Sequence, residues 1–229
     1  MNNREGKKLA NSVSWENRVL NPDALGDAEK KLWTDLEPIL IELLDELKTN
    51  GKIEISFVAA EHEHLKSILD NLNQVSINHN LLVGAFDGTK KIVEATSEFG
   101  FKESDLVNLY LQTAVLLCML NTELSKLLLL FHLKGVSHKV SSFSNTMSQL
   151  APIAWQKLKP YVDSNFRNSL AHGTWALESK EVVLFDDAKL VPVEKLSLVD
   201  FMIKVKNQNV LFQCMANVIA NKKNSGFFT

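Results

Sequence analysis

Arg167 and His172, within Phe166-Arg167-Asn168-Ser169-Leu170-Ala171-His172-Gly173-Thr174, are the residues of this chain whose types and spacing best suit chemistry. A guanidinium holds phosphate oxygens with a fixed fork of donors, and an imidazole changes charge near neutrality and can move a proton. RNA supplies the remaining part itself, because its 2′-hydroxyl is a nucleophile beside the scissile phosphate. A positioned proton-transfer group and a cation on the phosphate then suffice for cleavage without a metal. The spacing imposes a condition. Five helical steps of about 100° put the two side chains about 140° apart on an ideal helix. They share a site only if the last turn unwinds near Gly173 or a second copy of the helix completes it. The same residues also have a structural reading: Arg167, four residues after Asp163, suits a helical ion pair, and His172 can meet the last carbonyls of its helix.

Charge supports a polyanionic ligand. The formal net charge of −2 is unevenly spread: residues 23–70 carry twelve acids against five lysines, a balance of −7. Between residues 134 and 175 Lys134, Lys139, Lys157, Lys159 and Arg167 face only Asp163, a balance of +4. A basic stretch of this kind suits RNA, and scattered solubilising lysines are the alternative. The acidic N-terminal helices are candidates to cover the basic site.

Other chemistries lack their residues. Glu61-His62-Glu63-His64 puts its histidines two helical steps, about 200°, apart, which does not suit one metal ion, so a solvated helix face is expected. There is no Gly-rich phosphate loop, nucleophile elbow or zinc-hydrolase helix, and no metal or cofactor is expected. Cys118 and Cys214 sit in apolar surroundings and read as small core residues, which fits a reducing, cytoplasmic compartment. The first eight residues lack the apolar stretch of a signal peptide. Leu106 to Thr122 is uncharged but short and interrupted by Asn108, Gln112 and Asn121, so a buried core helix, not a membrane span, is expected.

The positioning elements are mainly helical. Leu25, Ala28, Leu32, Trp33, Leu36, Ile39, Leu40, Leu43, Leu44 and Leu47 recur at steps of three and four, predicting a helix over residues 23–49 that Asn50-Gly51 ends. Ile53, Ile55 and Phe57 alternate as in a short strand, or begin the next helix. Residues 59–75 read as helix, while 77–100 mixes both periods around a candidate turn at Asp87-Gly88. Leu106 to Leu133 is apolar nearly all round and predicts the central core helix, ended by Gly135. Ser137 is a candidate cap for a helix carrying Val140, Phe143, Met147 and Leu150, and Pro152 and Pro160 suit first turns of two further pieces. The second of these puts Val162, Phe166, Ser169 and Leu170 inward and ends at Gly173. Residues 181–185 and 190–193 predict a small β-hairpin. Ser197 and Asp200 then begin a final helix with Leu198, Phe201, Met202, Val205, Phe212, Met215 and Ile219 on one face.

Arg167, four intervening residues and His172, with polar Asn168 following the arginine, resemble the motif of the HEPN domains (higher eukaryotes and prokaryotes nucleotide-binding). Glu123 and Lys126 in Asn121-Thr122-Glu123-Leu124-Ser125-Lys126, then Gly135 and His138, are similar to the family's preceding helices. The resemblance covers residues 104–221. It implies a HEPN-like antiparallel helical bundle, with the small β-hairpin read above; residues 1–103, outside the resemblance, are expected as an N-terminal helical extension and 222–229 as a tail. It further implies a metal-independent endoribonuclease acting as a homodimer on RNA, of the toxin or defence-effector kind and restrained by an antitoxin or regulatory protein. His172 would transfer the proton, Arg167 would bind the scissile phosphate, Asn168 would orient one of them and Glu123 would hold Arg167. The alternative is a non-catalytic dimeric module that binds nucleic acid or a protein partner.

Overall fold

The computed structural model describes residues 25–53, 59–87, 103–178, 181–186, 189, 191–225 and 227. Among them the chain is mainly helical, with seven α-helices and one three-stranded antiparallel sheet. The helices are α1 (Asp27–Thr49), α2 (Ala59–Asp87), α3 (Glu103–Leu130), α4 (Phe143–Leu150), α5 (Pro152–Leu158), α6 (Ser164–Ala171) and α7 (Leu198–Asn224). The strands β1 (Trp175–Glu178), β2 (Glu181–Phe185) and β3 (Pro192–Ser197) lie in that order in the sheet.

Two compact units emerge. The first comprises Met1–Asp70, Asn121–Asp163 and Lys206–Thr229, the second Asn71–Leu120 and Ser164–Val205. Both draw on α2, α3 and α7: each exceeds 25 residues and contributes one part to each unit.

In the first unit α1 buries Trp33, Leu36, Leu40, Leu43, Leu44 and Leu47, the three-and-four pattern that removes one helix face from water. Ala28 is exposed, because α1 begins only at Asp27. Gly51, at φ 65°, ends α1: Lys52 N–H donates to Leu47 O and Gly51 N–H to Lys48 O. That paired closure needs a left-handed residue, which glycine adopts without strain. Ile53 bridges Leu133 in antiparallel fashion, and the rest of the strand or helix expected after it lies outside the described residues. Helix α1 packs along α5, whose first amides, Ile153 and Ala154, donate to the Glu46 carboxylate at 3.3 and 2.8 Å. A carboxylate there meets both orphan N–H groups and the positive end of the helix dipole.

The end of α3 is enclosed in this unit: Asn121, Thr122, Ser125 and Lys126 are buried together with Leu124 and Leu127 to Leu130. The 111–130 stretch is long and apolar enough to cross a membrane by length and composition, yet most of it is buried inside the protein, as a core helix requires. Its polar groups find partners. Ser125 donates to Phe212 O, Asn121 to Asn209, and the Lys126 ammonium lies 5.3 Å from the Phe143 ring and 5.0 Å from that of Phe212. Residues 222–229, expected as a tail, are engaged as far as they are described. Lys222 binds Asp45 at 2.9 Å, and Lys48 and Lys222 lie 4.4 and 4.5 Å from the Phe227 ring.

Ser137 is not the cap it suggested. Helix α4 starts at Phe143 after a single 3-10 turn at Val140–Ser142, and the Ser142 hydroxyl donates to Lys139 O. Pro152 does occupy the first turn of α5, whereas Pro160 sits in a 3-10 turn over Lys159–Tyr161.

The second unit packs α6 and the sheet around Phe201. Its core joins Leu111, Ala114, Val115 and Cys118 of α3 to Phe166, Leu170, Val182, Leu184, Leu196, Phe201 and Val205. The hairpin expected at 181–193 gains a third strand, β1, pairing Trp175 with Leu184 and Leu177 with Val182, while β3 pairs Leu196 with Val182. Ser197 caps α7 as expected, accepting from Asp200 N–H at 3.1 Å and donating to the Asp200 carboxylate at 2.7 Å.

Candidate functional site

Helix α6 is eight residues long and carries most of the motif in the second unit. Phe166 and Leu170, four apart, are fully buried with Ser169, so the helix is anchored by one face. Phe166 meets Phe201 edge-on at 5.5 Å, and Ser169 Oγ donates to Phe185 O at 3.3 Å. Anchoring that face leaves Arg167 half-buried and exposes Asn168 and His172.

The end of the helix is closed, not unwound. His172 N–H donates to Asn168 O at 2.9 Å, Gly173 N–H to Leu170 O at 3.2 Å and Thr174 N–H to Ser169 O at 2.9 Å. Gly173 takes φ 65°, the left-handed residue of a Schellman closure. Five regular steps then separate Arg167 from His172 by about 140° around the helix. Of the two routes to a shared site, unwinding of the last turn is not what this chain adopts.

Burial lowers the Arg167 pKa from its ordinary value, through loss of solvation. The group stays cationic at neutral pH. It forms no ion pair among the described residues, so the reading of Arg167 as half of a helical salt bridge does not hold. A partly desolvated guanidinium without a carboxylate keeps its donors for an anion. Two residues beyond His172, the Thr174 hydroxyl is enclosed and has no hydrogen-bond partner among the described residues.

Other residues singled out by the sequence lie in the first unit. Glu123 Oε1 is 4.0 Å from His64 Nε2, and Glu61 Oε1 is 2.9 Å from His138 Nδ1. The Glu61–His64 segment thus forms acid–imidazole pairs, and no group of metal ligands exists among the described residues. The basic window also divides: Lys134, Lys139, Lys157 and Lys159 belong to the first unit and only Arg167 to the second. Lys157 is committed to Glu42 at 2.6 Å. Adjacency in sequence suggested one basic patch, and the fold assigns its members to two units.

Both cysteines are buried. Burial and the nearby Glu37 carboxylate push the Cys214 thiol far above its usual range, which removes it as a nucleophile. A cavity of about 150 Å³ in the first unit is lined by Glu37, Ile41, Val218, Asn221 and Lys222, none of them a residue of the motif.

Sequence reading missed the enclosure of Lys126 and the long-range cap by Glu46. For Lys126 the signal was present: it stands in a helix apolar nearly all round, where even a lysine has to be covered. For Glu46 there was none, since its partners are more than 100 residues away.

Comparison with family models, with curated proteins and with solved structures finds no match.

Proposed function

We propose that this chain is a metal-independent endoribonuclease of the HEPN type that works as a homodimer. The observation that carries the reading is Arg167, a half-buried cation with no ion-pair partner among the described residues, on the short helix that an exposed His172 directly follows. Arg167 holds the non-bridging oxygens of the scissile phosphate. The 2′-hydroxyl gives its proton to the His172 imidazole as its oxygen bonds to phosphorus, and the imidazolium returns that proton to the 5′-oxygen as the bond from phosphorus to it breaks. The products are a 2′,3′-cyclic phosphate and a 5′-hydroxyl. Asn168, exposed beside Arg167, orients the phosphate or the imidazole. The regular end of α6 supports the dimer, because a second α6 is then the remaining way to bring an arginine and a histidine to one phosphate.

The same regularity favours a second reading, a non-catalytic dimer that binds nucleic acid through Arg167. Incubating wild type, Arg167→Ala and His172→Ala with labelled single-stranded RNA in excess EDTA separates the two. Cleavage by wild type alone, leaving cyclic phosphate ends, is the expected result. Retention of cleavage in His172→Ala would sink the catalytic assignment, and RNA binding without cleavage by wild type would favour the second reading.

A further inference from the structure

A second feature of the first unit points to the same kind of ligand by an independent route. The Ile53–Leu133 bridge is antiparallel, and Lys134 N–H donates to Lys52 O at 2.8 Å. In that register Lys52 and Lys134 are the next residues opposite one another. Lys52 N–H itself closes α1 on Leu47 O, so a single backbone hydrogen bond joins the two residues and brings their charges close together. Like charges so placed repel, and the arrangement is unfavourable unless something offsets it.

Nothing described offsets it. Neither Lys52 nor Lys134 forms an ion pair among the described residues, and the same holds for Lys139, five residues further along the loop. Lys134 and Lys139 are exposed and Lys52 is half-exposed. The acid that touches this loop, Glu61, is engaged by His138 Nδ1 at 2.9 Å. The contrast within the unit is sharp, for Lys157, Lys206 and Lys222 each have a carboxylate within 4 Å. The backbone is also held by closures at either side, with Gly51 at φ 65° and Gly135 at φ 69°.

We propose that Lys52, Lys134 and Lys139 form a second anion-binding surface, on the first unit, which takes the sugar-phosphate backbone of a single RNA strand. The proposal rests on the reading of the chain as an RNA-binding protein, and not on cleavage. A phosphodiester chain suits it because successive phosphates can each meet one lysine, whereas a lone carboxylate neutralises only one of the opposed pair. Release of counterions from the strand then drives binding, and affinity falls steeply with salt.

The test is a salt titration of binding, followed by fluorescence anisotropy with a labelled single-stranded oligodeoxynucleotide, which lacks the 2′-hydroxyl and so cannot be cut. Each phosphate contact on a single strand contributes about 0.7 to the slope of log affinity against log salt, so Lys52→Ala/Lys134→Ala/Lys139→Ala should lower that slope by about 2. Lys52→Arg/Lys134→Arg/Lys139→Arg should retain it. Lys30→Ala/Lys31→Ala/Lys66→Ala, the same charge change elsewhere in the unit, should leave it unaltered. An unchanged slope in the first variant, an equal fall in the control, or no binding by wild type each overturns the proposal. RNA cleavage is scored separately: loss of slope in the first variant alone, with no cleavage by wild type, upholds this surface and removes only the ribonuclease assignment.

Discussion

At the scale of single residues, Arg167 and Lys126 are both cations withdrawn from water, and their surroundings differ in kind. Lys126 is 2% exposed, with its ammonium near the faces of Phe143 and Phe212. Its stem and charge belong to the packing, so Lys126→Ala should lose about 2–4 kcal/mol in urea unfolding. Lys126→Met, which keeps most of the stem volume, should lose clearly less. Arg167 is only half-buried and has no described ion-pair partner, so little stability depends on it. Arg167→Met is expected to unfold within about 1 kcal/mol of wild type, or to be slightly more stable, because a partly desolvated charge is removed. Its affinity for RNA should nevertheless fall. A stability loss as large as that of Lys126→Ala would show that Arg167 is a packing residue and not a ligand-binding one.

At the scale of elements, the end of α6 is the feature on which the site depends. Gly173 at φ 65° permits the closure that fixes His172, and a Cβ there meets no atom within 4 Å, so the cost of Gly173→Ala is conformational and not steric crowding. That cost should be about 1–2 kcal/mol in thermal or chemical unfolding, with His172 displaced and cleavage reduced by more than the stability loss explains. Wild-type stability in Gly173→Ala would show that the closure is dispensable. The glycine was legible in the sequence because it follows an amphipathic run, as were α1, β2 and the Ser197 cap: each is governed by neighbours within one or two turns, whereas the core helix read to Leu133 ends as α3 at Leu130. Strand β1 was not legible, since its four residues, Trp-Ala-Leu-Glu, are too few for a period and become a strand only by pairing with β2. The division of the basic window escaped for a related reason. Lys157 and Arg167 are ten residues apart but belong to different units, and charge counted along the chain does not register which core a helix joins.

At the scale of the whole molecule, the decisive question is how many chains make one site. A single α6 with a regular end holds Arg167 and His172 about 140° apart, so on the proposed ribonuclease reading a catalytic pair would be drawn from two copies. This gives an expectation that no structural role of the two residues shares. On that reading Arg167→Ala and His172→Ala should each be inactive alone, yet a mixed dimer would contain one site with both native residues and one with neither. If equal amounts exchange freely, half of the dimers are mixed and one of two sites in each is intact, so about a quarter of wild-type activity should return. Mixing before and after a denaturation–refolding cycle ensures exchange, and the return should follow the fraction of mixed dimers resolved by native mass spectrometry. Mixed dimers without activity would place both residues of a pair on one chain, and with α6 closed as it is, that outcome would leave Arg167 a binding residue and His172 outside the chemistry.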